Sequence, residues 1–301
     1  MSDPRGDTSV CIKSIDSYFE IFKNLSTNFT TMRVKEILHD REVLARLNAF
    51  LIIYFGWFIF GLLYPILGKH SVDITREFLK LPFTSYEFVS RLLFLVKSHV
   101  LVYYFMKSVY FLGFSGSIAL TVAFLLLYKR DIQASDELFI RYLKLYVISG
   151  AMYCMFHVYA PHVVYNLPVE SPAGTYLTQQ EFVLPSLHNS IATANIVTLW
   201  KYRKSWTARS IIAFNMMIPI VTLFLGHHWI YDIITGIILA LIIAKITKGY
   251  NAKLPSSIRS IKISELRKIT AFGLIFATIV LIIASKPSIY SSILQRLLGN
   301  P

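Results

Sequence analysis

Two short segments carry side chains whose types and spacing suit acid–base and nucleophilic chemistry: Leu184-Pro185-Ser186-Leu187-His188-Asn189-Ser190 and Gly226-His227-His228-Trp229-Ile230-Tyr231-Asp232. His228 and Asp232 are four residues apart, so on a helix the carboxylate lies beneath the imidazole, fixes its tautomer and stabilises its protonated form. A histidine supported in this way is a good nucleophile toward phosphorus. His188 then has the complementary role, protonating a leaving oxygen and later deprotonating an incoming hydroxyl. Pro185 opens an apolar helix whose first-turn N–H groups suit phosphate oxygens. His227 is a poorer nucleophile candidate, because Asp232 is five residues away and off its helical face.

A third polar cluster, His157, Tyr159, Pro161 and His162, closes another apolar run. One histidine near a helix end is most often a packing or interface residue. Two at helix ends on the same side, one with an aspartate at i+4, favour a site. A zinc reading of His188, His227, His228 and Asp232 is weaker, since adjacent histidines do not both point inward from a regular helix. Neither a metal nor a cofactor is expected.

The elements that must position these groups are membrane helices. Of 301 residues, 55% are hydrophobic and only 16% charged, which excludes a disordered chain, a coiled coil or an ordinary soluble domain. Cys11 and Cys154 are too few and too far apart for a metal knuckle or a disulfide framework. The N-terminus, acidic and without an apolar core, does not read as a signal peptide. Seven apolar runs approach the length needed to cross a bilayer: 47–67, 112–128, 142–160, 187–200, 211–225, 230–246 and 269–284. An eighth, 88–110, contains Arg91, Lys97, His99 and Lys107 and is either a span with a polar lining or a helix near the interface. The expected fold class is therefore all-α, a polytopic bundle of seven or eight hydrophobic helices. Residues 1–46 form a partly amphipathic arm ahead of a transmembrane domain over 47–301. Gly113, Gly116, Gly150, Gly236 and Ala240 are expected where helices pack closely.

The excess of 13 basic residues is concentrated in loops 200–209 and 245–268, which should face the cytoplasm; no nucleic-acid partner is implied. The segment 161–185 carries Glu170 and Glu181 and no Lys or Arg, so it should be extracytoplasmic or luminal. The helix beginning near His188 goes in and the next comes back, returning His228 to the face of His188.

The Pro185-Ser186-Leu187-His188 and His228-Trp229-Ile230-Tyr231-Asp232 segments resemble the second and third signature motifs of the type 2 phosphatidic acid phosphatase superfamily, in the dialect of its inositol phosphorylceramide synthase branch. The resemblance covers about 97–245. It implies a six-helix core with an active site at the membrane face, His228 as the nucleophile that becomes phosphohistidine, Asp232 as its orienter and His188 as general acid and base. Ser186 would help hold phosphoryl oxygens. Where the phosphatases carry Ser-Arg, this chain has Val221 and Thr222, and their first, Arg-containing signature is absent near Tyr159-Ala160-Pro161-His162. His162, His157, His227, Lys97 and Lys107 are the candidates to compensate at the substrate. The favoured function is transfer of a phospho-head group, such as phosphoinositol, from a membrane phospholipid to a lipid or polyol acceptor. The alternatives are a phosphatase of lipid monophosphates or polyprenyl pyrophosphates and, less favoured, a transporter or scaffold. The oligomeric state is not legible.

Overall fold

The computed structural model describes residues 36, 39–169 and 181–284; the amphipathic stretch expected near Phe19 to Leu25, and Glu170, lie outside them. Helix α1 (Arg41–Leu67) starts at Asp40, whose carboxylate caps the N–H groups of Glu42 and Val43. Helix α2 (Tyr86–Lys97) is amphipathic, burying Val89, Leu93 and Val96 at helical spacing while Phe94 and Leu95 are exposed. The polar Lys97-Ser98-His99 triplet then breaks the run. His99 is extended, and the following helix turns away by 104°.

The 88–110 run is thus not one straight span. Its second half continues without interruption as α3 (100–129), which includes π-helical turns at Val109–Gly113 and Phe124–Lys129. At about 1.5 Å per residue this stretch is long enough for the hydrocarbon layer.

Helix α4 (Ile132–Met155) is capped by Asp131. It ends sooner than its apolar run suggests, because Phe156–His157 is extended and pairs in parallel with Val72–Asp73. Helices α5 (Leu187–Leu199), α6 (Trp206–Phe224), α7 (Ile230–Ile246) and α8 (Ile263–Ala284) follow. Among the described residues α1, α4 and α6 are long and apolar enough to cross a membrane individually. The short α5 sits at the centre, packed by α4, α6, α7 and the middle of α3, while α8 lies against α1.

Because lipid is as apolar as leucine, packing and internal hydrogen bonds must hold such a bundle together. The buried column Ser186, Asn189, Ser190, Thr193, Asn195 and Thr198 on α5 serves this purpose. Tyr142 donates to Asn195, which donates to Asn215 at 3.0 Å; Asn215 donates to its own helix at Ile211. At the end of the bundle away from His188, Arg46 makes a bidentate pair with Asp136 at 2.8 and 2.9 Å. Asp136 also receives the Ala252 N–H, while Arg141 donates to Thr198 and Thr247. These bonds tie the basic loop after α7 to α1 and α4. Gly113 and Gly236 meet neighbours closely, as expected of packing positions, but Gly116 faces open space.

Candidate active site

The site forms where α5 and α7 begin and α6 ends. Ser186 caps α5, and its own N–H donates to the carbonyl of Asp232 at 3.0 Å. This crossing is close: a Cβ on Gly236, one turn further along α7, would stand 2.4 Å from the Ser186 carbonyl oxygen. Ser190 fastens the same junction, donating to the Ser186 carbonyl and within reach of that of Gly236. At the other wall, Gly226 takes the left-handed conformation (φ +70°) that ends a helix, and the N–H groups of His227 and His228 fold back onto the Thr222 carbonyl.

These turns bring His228 Nδ1 to 3.1 Å from Asp232 Oδ2, which also accepts the Trp229 N–H at 3.2 Å. A carboxylate only accepts, so Nδ1 carries the proton and Nε2 keeps its lone pair. Nε2 lies 3.4 Å from Ser186 Oγ. That hydroxyl already accepts from the side-chain amide of Asn189 at 2.7 Å, so its own proton is available to Nε2. His188 faces His228 with ring centroids 5.6 Å apart. Asp232, Ser186 and Asn189 are fully buried and His228 nearly so, while His188 is partly exposed.

His227 points elsewhere. It stacks face to face on Tyr110, with centroids 4.1 Å apart, and meets the edge of His162. His162 Nδ1 is 2.9 Å from the Gly226 carbonyl, so His162 braces the turn that carries both histidines. His157 is not brought to the cluster: its Nδ1 bonds Ser71 at 2.7 Å within the small parallel pairing. Lys97 donates to the Pro168 carbonyl at 2.6 Å and lies over Tyr103, and Lys107 lies near the rings of Tyr103 and Tyr104. Residues that sequence reading did not single out complete the wall. Tyr110 also stacks on His188 at 5.2 Å, Phe114 packs on the same imidazole at 4.3 Å, and Asn189 links Ser186 to Thr222. The available signal was faint: Tyr110 and Phe114 are four apart on one helix. Among the described residues no group of three metal-ligating side chains is arranged to hold an ion.

The PAP2 superfamily model matches residues 138–255, the stretch that contains α5, α6, α7 and every member of the His188, His228 and Asp232 cluster. An uncharacterized protein of Methanocaldococcus jannaschii is 31% identical over 224 residues, covering 73% of this chain and 90% of the archaeal one. The chain belongs to the PAP2 superfamily. No solved structure matches it significantly. As a PAP2 member with membrane-spanning helices it is an integral membrane enzyme, a phosphatase or phosphotransferase acting on lipid phosphates. The PAP2 match ends before α8, and the helix that presents Tyr110 and Phe114 lies ahead of it.

Proposed function

We propose that this PAP2 protein transfers a phosphorylated head group, of the phosphoinositol kind, from a membrane phospholipid to the hydroxyl of a lipid or polyol acceptor, with His228 as nucleophile. The observation that carries the reading is the opposed pairing of the His228 ring, Nδ1 held by Asp232 and Nε2 turned toward Ser186, with the His188 ring in edge contact beside it.

In the first half-reaction Nε2 attacks phosphorus and the bond from phosphorus to the leaving alkoxide breaks. His188 gives that oxygen a proton, and Asp232 stabilises the charge left on the His228 ring. In the second, the acceptor hydroxyl returns its proton to His188 as its oxygen attacks phosphorus, and the P–N bond breaks. Ser186 Oγ, released from Nε2, and the first-turn N–H groups of α5 bind the phosphoryl oxygens.

Thr222, which contacts Asn189, occupies the place where the phosphatases that the motifs resemble carry arginine. A site using imidazoles and hydroxyls suits a singly charged phosphodiester better than a dianionic monoester, which favours head-group transfer over monoester hydrolysis. The basic loops at the opposite helix ends favour an extracytoplasmic or luminal site.

Purified protein incubated with labelled phospholipids and lipid phosphates, with and without ceramide-like or polyol acceptors, tests the proposal. Transfer should require the acceptor and exceed release to water. Release of inorganic phosphate from monoesters, with no transfer, would make it a phosphatase.

A further inference from the structure

On the lipid-facing side of α3, next to the turns that carry Tyr110, lies a shallow, open groove of about 300 Å³ shared with α6. Phe105, Gly113, Gly116, Ser117, Leu120 and Phe214 are among its lining residues. Its two hydroxyls are engaged by their own helix: Ser117 donates to the Phe114 carbonyl and Ser108 to that of Tyr104, both at 2.8 Å. The groove therefore offers little to water and much to hydrocarbon.

It also adjoins the site, with one packed layer between them. Val109 and Phe214 line it, and both pack in one cluster with Tyr110, the residue stacked on His188 and His227. The π-helical turn Val109–Gly113 places Val109 and Gly113 on the groove while Tyr110 faces the histidines. Departures of this kind from α-helical register are frequent at functional sites.

We infer that this groove is a binding site for one hydrocarbon chain of the lipid whose phosphate reacts at His228, an inference that rests on the function proposed above. A chain leaving the bilayer gains little from burial alone, since it exchanges one apolar surrounding for another. The groove acts by position: it fixes where the head group stands relative to Nε2, and misplacement of reacting atoms is costly.

Gly116 gives a clean probe because a Cβ there meets nothing within 4 Å, so a larger side chain fills the groove rather than displacing a helix. In Gly116→Leu the ratio of kcat/KM for a long-chain over a short-chain phosphodiester should fall about tenfold, through KM for the long-chain substrate. An unchanged ratio would overturn the inference. A phosphodiester lipid with a diazirine in its chain supplies a readout independent of turnover: it should label peptides from 105–120 and 206–224, and more strongly than a fatty alcohol bearing the same diazirine. Labelling confined to other helices, or equal labelling by the alcohol, would overturn the chain site. Preferential groove labelling in a protein that turns over no lipid phosphate would leave the groove standing and refute the catalytic reading.

Discussion

His188 and His228 present their rings to each other with centroids 5.6 Å apart and planes inclined by 62°, although one stands in the first turn of α5 and the other just before α7. In the proposed mechanism His228 would attack phosphorus and His188 would protonate the leaving oxygen. Each ring is held by a different means, a carboxylate for His228 and aromatic faces for His188.

Asp232→Asn tests the first support. The amide is nearly isosteric but can donate to Nδ1, which permits the tautomer with the proton on Nε2 and removes the charge that stabilises the imidazolium. Turnover should fall by about 10³- to 10⁴-fold with detergent-solubilised folding retained. Kinetics on a substrate dilution series measure it; a fall of less than tenfold would dismiss the orienting role.

Tyr110 tests the second. Tyr110→Phe keeps the stacking surface and should retain most activity. Tyr110→Ala removes contacts on His188 and His227, each worth about 0.5–1.5 kcal/mol, so kcat should fall about tenfold. A nitrophenyl leaving group, which needs little protonation, should recover much of that loss. Equal losses with both leaving groups would show that Tyr110 does not act through His188.

Substitution at the α5–α7 crossing should also be harmful, although it removes no group of the cluster. In Gly236→Ala the methyl would meet the Ser186 carbonyl at 2.4 Å, a contact that only movement of the backbone can relieve. The Ser186 to Asp232 bond would be lost with it, and activity should drop by about 10² or more because reacting groups shift by a fraction of an ångström. Wild-type kinetics in this variant would show that the crossing tolerates displacement.

The opposite end of the bundle should govern stability instead. Arg46 and Asp136 are both buried, so Arg46→Met strands a carboxylate and should cost about 3–5 kcal/mol, whereas Arg46→Met combined with Asp136→Leu should recover much of it. Thermal unfolding in detergent checks both. A single variant as stable as the parent would remove this clasp from the account.

Much of the cluster was legible because its logic is local. The spacing of His228 and Asp232, the helix start after Pro185 and the return of alternate helices to one face all follow from helix geometry. That same geometry separates His228 from His227, and the structure turns the two rings to different neighbours. What the sequence concealed depends on breaks in that geometry. The bend at His99 divides an apolar run that hydropathy shows as continuous, and Tyr110 sits in a π turn at Val109–Gly113 that the sequence does not announce. His157, one of the candidates to compensate at the substrate, lies where the chain is already extended, and Ser71 takes its imidazole. Pairing between segments so distant in sequence leaves no periodic trace.

The most direct test of the account is the identity of the covalent intermediate. Protein quenched during turnover of a radiolabelled phosphodiester lipid, digested under alkaline conditions and sequenced by mass spectrometry, should carry the head-group phosphate on His228, bound in an acid-labile and base-stable linkage. The label should be absent in His228→Ala, and in His188→Ala it should still form from a substrate with a good leaving group. Label on His227, or full turnover in His228→Ala, would contradict the mechanism.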